Sequence, residues 1–214
     1  MNTKDQVPEQ AQWVYDAPNI EELARRYDQW AQDYDQEMEE VFGNVGPQRT
    51  VETFIKYVPT DAKILEVGTG TGLVGALLNQ QGYYHVDGLD ISLQMMEEAR
   101  KKNVYTSLYQ ATLGEPLEFT DNTYQAIMAK GVFAPGHAPS RAFDELIRVT
   151  HRGGVIVFTL RTDYYEASDF KYKQNALEAS GDWKLLEKTE PFPMWPKATQ
   201  ELMYNIWVYE VAKE

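Results

Sequence analysis

Three observations predict an α/β fold with a doubly wound, mostly parallel sheet for this 214-residue chain. Short apolar segments alternate with helical patterns through the middle of the sequence. The first of those segments runs straight into a glycine-rich turn. The last two follow one another with no helical pattern between them. Consecutive parallel strands need a crossover, which places helices on both faces of the sheet, whereas a directly joined pair suits an antiparallel edge.

Residues 1–18 are polar, end at Pro18 and lack periodicity, which predicts a loosely held arm. Residues 19–214 then read as one domain. Leu23, Tyr27, Trp30 and Tyr34 recur at helical spacing, as do Val51, Phe54, Ile55 and Val58 before Pro59 stops the second helix. A strand at Lys63–Val67, a helix at Leu73–Gln81 and a strand at Tyr84–Asp90 form a βαβ unit. Ser92 is placed to cap a helix that turns Met95, Met96 and Ala99 to the core. Strands follow at Tyr105–Gln110 and Tyr124–Lys130. Ser140 is expected to open a helix carrying Phe143, Leu146 and Ile147, and Gly153-Gly154 precedes the apolar strand Val155–Leu160. A helix near Lys171–Ser180 leads to strands at Trp183–Lys188 and Leu202–Ala212, joined by the loop PFPMWPK.

Composition narrows the function. With 33 acidic and 20 basic side chains the formal charge is -13, which repels phosphate backbones and anionic lipid, so neither nucleic acid nor membrane is an expected partner. There are no cysteines, which excludes disulfides, thiolate metal sites and thiol nucleophiles. No apolar run reaches membrane-spanning length and the N-terminus has no apolar signal region, so the reading is a cytoplasmic protein, monomer or homodimer, without a metal.

The segment Ile64-Leu65-Glu66-Val67-Gly68-Thr69-Gly70-Thr71-Gly72 is an apolar strand entering a glycine-rich turn before a helix. Glycines there let the backbone turn sharply and let a ligand approach closer than a Cβ permits. Gly70-Thr71-Gly72-Leu73-Val74-Gly75 also satisfies the G-x-G-x-x-G pattern of an NAD-dependent oxidoreductase. Two features favour S-adenosylmethionine: Glu66, and the E-x-G-x-G-x-G frame it opens. A carboxylate at a strand end can attract the cofactor's ammonium group or pin the loop, and it repels a pyrophosphate. Asp90 ends the second strand, where an acidic side chain can accept from both ribose hydroxyls, a device shared with NAD sites.

Through EVGTGTG, GLDISLQMMEEARKK, LRVTHRGG and VIVFTL the chain resembles the class I S-adenosylmethionine-dependent methyltransferases. Within them it is similar to the Williams-Beuren syndrome region methyltransferase-like family, through YDQWAQDYDQ, GVFAPGH and RVTHRGGVIVFTLRTDYY. The resemblance runs from about Ile20 to the C-terminus. It implies a Rossmann-like seven-stranded sheet of order 3-2-1-4-5-7-6 with strand 7 antiparallel. By the same resemblance Gly68, Thr69, Gly70 and Gly72 would line the methionine end of S-adenosyl-L-methionine and Asp90 would hold the ribose. Ile91 and Met95 would pack on the adenine, Ala111, Thr112 and Leu113 would meet its edge, and Ala129-Lys130 would supply backbone groups to the methionine. Two departures stand out: Thr112 and Gln125 occupy positions where relatives often carry Asp.

Methyl transfer from a sulfonium is an in-line displacement that chiefly needs alignment, exclusion of water and, for some acceptors, a base. Aromatic faces suit a sulfonium, so Tyr27 and Tyr34 are read as lid residues contacting cofactor, with Trp30 as packing or lid. His137, in a loop at the carboxyl ends of the strands, is the candidate general base. His85 and His151 fall at the opposite end. Lys130, Arg161 and Asp163 lie near strand ends and can orient an acceptor, and PFPMWPK either closes over that acceptor or packs as an aromatic edge. Ala129-Lys130-Gly131-Val132 stands where amino-directed nucleic-acid methyltransferases carry an N/D-P-P-Y/F motif, which leaves a small molecule as the expected acceptor, with a protein side chain as the other candidate. A catalytically silent protein that binds S-adenosylmethionine or S-adenosyl-L-homocysteine remains the alternative.

Overall fold

The computed structural model describes residues 9–198 and 202–213. Four helices come first: α1 (Glu9–Tyr15), α2 (Ile20–Trp30), α3 (Tyr34–Glu37), which runs into a π-helical turn (Met38–Phe42), and α4 (Gly46–Phe54). The sheet domain then runs β1 (Ile64–Val67), α5 (Leu73–Gln80), β2 (Val86–Asp90), α6 (Leu93–Lys101), β3 (Ser107–Gln110), β4 (Tyr124–Phe133), α7 (Ala142–Val149), β5 (Thr150–Arg161), α8 (Thr162–Ala167), α9 (Phe170–Ser180), β6 (Trp183–Lys188), β7 (Phe192–Pro193) and β8 (Met203–Val211).

The sheet order is β3-β2-β1-β4-β5-β8-β6, with β7 paired to β8. Neighbours from β3 to β5 are parallel, and β8 runs antiparallel to β5, β6 and β7. The expected order 3-2-1-4-5-7-6 omits the two-residue β7; once β7 is counted, its antiparallel strand 7 is β8.

Alternation along the central strands divides the core. Leu65, Ile127, Ile156 and Trp207 face α7 and α9, meeting Phe143, Leu146, Phe170 and Leu177. Ile64, Met128, Val157 and Ile206 face α4 and α5, meeting Phe54, Val74 and Leu78. Each strand therefore buries both faces and reads as a nearly continuous apolar run.

One expectation is corrected. The loose arm is, over Glu9–Tyr15, a helix whose Ala11 and Val14 are buried against Leu23, Trp30 and Met194; residues 1–8 of that arm lie outside the described residues. Its two fully buried side chains sit three apart, enough to anchor seven residues to a neighbouring core but too few to register as periodicity. Ser140 opens the turn that leads into α7, its carbonyl accepting from the Phe143 amide at 3.1 Å while its hydroxyl donates to Asp169 at 2.6 Å, and the regular helix begins behind Arg141.

Candidate active site

At the carboxyl ends of β1, β2 and β4, α2 and the segment after β4 roof a cleft of about 710 Å³, open solvent included. Its floor is set by backbone bonding. Gly68 and Thr69 amides both donate to Leu89 O, at 2.7 and 3.1 Å, tying the turn to the end of β2. Gly68 has φ +70, and a Cβ there would collide with Val132. Gly70 has φ +52 with open space where a Cβ would stand, so its backbone is bare.

Asp90 joins the turn to the next helix. Its Oδ2 accepts from the Gly70 amide at 2.7 Å and its Oδ1 from the Ser92 amide at 2.9 Å. A carboxylate offers about four lone-pair positions, so acceptor capacity remains. Burial raises the Asp90 pKa, opposed by these backbone donors. Ser92 caps α6 as expected, its hydroxyl oxygen accepting from the Met95 amide at 3.1 Å.

The roof is latched to this floor by side chains. Asp28 of α2 accepts from Ser92 Oγ at 2.6 Å and from the Gln94 amide at 3.0 Å, so a lid carboxylate completes the N-terminus of α6. Asp35 accepts from Thr71 Oγ1 and from Lys102 Nζ, whose ammonium also donates to Thr71 O at 2.7 Å. Tyr27 and Tyr34 each precede one of these carboxylates by one residue and line the cleft. The segment YDQWAQDYDQ thus repeats a unit of one aromatic wall residue and one latch after seven residues, once on α2 and once on α3. The latch role gave no sequence signal, because its partners lie 36–67 residues away.

His137 also faces the cleft. Its Nδ1 lies 2.9 Å from Pro135 O, which can only accept, so Nδ1 carries the proton and Nε2 accepts from the Tyr27 hydroxyl at 2.8 Å. Burial pushes the imidazole pKa down, opposed by the Pro135 contact, and raises Tyr27 well above the ordinary phenol value. Both are neutral near pH 7. The nitrogen expected to serve as a base is already occupied by Tyr27.

Among the residues expected at the site, the structure brings Tyr27, Tyr34, Gly68, Gly70, Asp90, Ile91, Met95, Ala111, Leu113, Lys130 and His137 to the cleft. Four it does not. Glu66 is buried beneath the turn, where its Oε2 accepts from Tyr105 OH at 2.9 Å, and burial raises its pKa to about 8. Thr69 packs its methyl against Gly88, and Gly72 lies against Tyr105 and Ala99. Thr112 sits between two lining residues without lining the cleft itself. Ile20, Leu23, Leu89, Gly131, Val132 and Ala138 complete the wall; apolar periodicity marked Leu23 only as core.

Other candidates resolve similarly. Gly75 does not serve a nucleotide, since a Cβ there would collide with the Tyr105 hydroxyl that holds Glu66. Gln125 accepts from the Lys63 amide at 2.6 Å, at the start of β1 rather than beside the cleft. Arg161 and Asp163 pair with each other at 2.6 Å and do not line it. The Trp30 indole donates to Glu37 at 2.8 Å and is buried in the lid core. The loop after β6 packs Met194 and Trp195 into that same core.

Known proteins resemble this chain in sequence and in fold. The profile of the methyltransferase domain family matches residues 65–158. Human methyltransferase-like protein 27 is 36% identical over 208 residues, covering 94% of this chain and 80% of that one. The chain belongs to the class I S-adenosylmethionine-dependent methyltransferases. A phosphatidylethanolamine N-methyltransferase of Cereibacter sphaeroides is 30% identical over 144 residues, 64% of this methyltransferase and 67% of its relative. In structure, the complex of the Haloferax volcanii Trm112 methyltransferase activator with a methyltransferase matches at TM-score 0.64 and 19% identity, over 87% of this chain and 97% of that one, which shows the shared fold. No helix among the described residues is long and apolar enough to cross a membrane, and no cluster of His, Asp and Glu among them could hold a metal ion.

Proposed function

We propose that this methyltransferase transfers a methyl group from S-adenosylmethionine to a small-molecule acceptor by in-line displacement. The observation that carries the acceptor class is the roof: the cleft lies under α2, which Asp28 and Asp35 tie to the floor, an enclosure that suits a small molecule better than an extended polymer. The net charge of -13 acts in the same direction against nucleic acid.

The residues present fit the cofactor. Asp90 has spare acceptor positions for a ribose diol, the bare Gly70 backbone admits close approach, and Ile91, Met95 and Leu113 form an apolar slot for a flat base. When bound, the cofactor supplies an electrophilic methyl group on sulfur. Tyr27 and Tyr34 present aromatic faces suited to that positive charge. Gly68, Lys130 and Gly131 wall the end nearest β4. Glu66, Thr69 and Gly72 act from beneath, shaping the turn, with Thr112 placed behind the adenine edge. His137 is proposed as the base, acting through the Tyr27 hydroxyl that it holds.

Two measurements test the reading. S-adenosylhomocysteine should raise the thermal midpoint of the protein and NADH should not; the reverse result would sink it. Labelled cofactor should deliver its methyl group to a small metabolite in a cell extract, and label found only in RNA or protein would overturn the acceptor class.

A further inference from the structure

A second, narrower cavity lies beside the cleft. Tyr27, Tyr34, Lys130 and Gly131 line both, so the two chambers meet at those residues. Tyr15, Trp30, Trp195 and Tyr204 bring the number of aromatic rings in its wall to six, and no Asp or Glu lines it. Two side-chain nitrogen donors in this wall have no acceptor among the described residues. One is the indole N–H of Trp195, on a side chain 8% exposed. The other is Lys130 Nζ, which feels only the longer-range attraction of Glu66. The remaining lining indole, Trp30, has its donor satisfied by Glu37.

A buried donor without a partner costs free energy that a ligand oxygen recovers. A cationic amine would meet the Lys130 charge and find no carboxylate to answer its own. We propose that this second cavity holds the methyl acceptor, and that the acceptor is a flat apolar molecule with a weakly acidic hydroxyl whose oxygen accepts from Lys130 Nζ and Trp195 Nε1. The proposal rests on the methyltransferase reading above and adds the acceptor's class to it.

The proton has a route. Tyr27 lines both chambers and donates to His137 Nε2. The acceptor's hydroxyl proton passes to the Tyr27 oxygen as the Tyr27 proton passes to Nε2. An oxyanion beside Lys130 and an imidazolium at His137 result, with no net change in charge. Burial lowers the Lys130 pKa to about 8, so the side chain is still mostly cationic at neutral pH and can stabilise that oxyanion.

Calorimetry on the full chain saturated with S-adenosylhomocysteine tests this, with 4-nitrophenol and benzylamine as probes. Saturable binding of 4-nitrophenol is expected, at least tenfold tighter than benzylamine. Lys130→Met should weaken it about tenfold and Trp195→Phe about threefold, the latter with S-adenosylhomocysteine affinity held within twofold. Bound probe should absorb as the yellow nitrophenolate below the pH at which free probe does. Benzylamine binding as tightly, no saturable nitrophenol binding, or both substitutions leaving its affinity unchanged would overturn the proposal. Failure of S-adenosylhomocysteine itself to bind the wild-type chain would instead overturn the underlying methyltransferase reading.

Discussion

The floor and the roof of the cleft are built from different kinds of bond. The floor is main chain: the Gly68 and Thr69 amides bond to Leu89 O, and the Gly70 amide bonds to Asp90, on strands buried on both faces. The roof is held to it by side chains, through Asp28, Asp35 and the Tyr27–His137 contact. Main-chain bonds within a sheet open only with the sheet, whereas a few partly exposed side-chain bonds can open locally. The floor is therefore suited to hold a ligand in fixed geometry, and the roof to admit and release it.

Breaking the floor should have the largest effect. Asp90→Ala removes the ribose acceptor and strips partners from two backbone amides. Hydrogen bonds to charged groups contribute about 1.5–3 kcal/mol each, so affinity for S-adenosylhomocysteine should fall 100-fold or more by calorimetry, and the melting midpoint should fall with it. Asp90→Asn keeps oxygen acceptance at one position and should lose less of both. Full affinity in Asp90→Ala would show that the floor is not the ribose site.

Breaking the roof should cost less and act on rates. Asp28→Ala removes the carboxylate that completes α6, an exchange typical of a lost cap at about 1 kcal/mol. Asp35→Ala frees Lys102, an ion pair with its side chains 26% and 38% exposed and correspondingly weak. Combined, they should raise the dissociation rate of S-adenosylhomocysteine about tenfold in stopped-flow measurements while the melting midpoint moves by only a few degrees. An unchanged dissociation rate would mean that ligand exchange does not pass through the roof.

The same division decides what the sequence reveals. Floor residues announce themselves, because alternating glycines after an apolar strand and an acid at the end of the next are local patterns with one physical use. Tyr27 and Tyr34 are legible only as members of a helical stripe, since periodicity says which face is buried but not against what. Asp28 and Asp35 look like ordinary solvated acids in a chain rich in them. Glu66 can mislead in the opposite direction: its position allows a ligand contact as well as a loop anchor, and only packing shows that Tyr105 occupies its carboxylate from below. Gly75 misleads in the same way, completing a dinucleotide pattern while serving that tyrosine.

Glu66 gives a smaller effect with a definite sign. Its folded-state pKa is raised to about 8 from an ordinary value of 4.5, chiefly by burial. The folded state thus holds a proton that the unfolded chain releases, and stability declines as pH rises through that interval. Glu66→Gln keeps an oxygen to accept from Tyr105 and removes the titration. The melting midpoint of the variant relative to wild type should therefore climb steadily between pH 5 and pH 8 and level off above. A difference that is flat across this range would show that Glu66 titrates normally in the folded protein.

The smallest effect is expected where family likeness and structure disagree. Relatives often carry Asp at the position of Thr112, which would make that side chain an acceptor for the adenine amino group. Here Ala111 and Leu113 line the cleft and Thr112 between them does not, as alternation along an extended segment requires. Its carbonyl accepts from the Glu115 amide at 3.3 Å, holding the segment in a turn that keeps this orientation. Thr112→Asp should accordingly change S-adenosylhomocysteine affinity less than twofold. A tenfold gain would mean that the turn rearranges on binding to bring position 112 inward, and the floor would then include a movable part at the adenine end, narrowing its contrast with the roof.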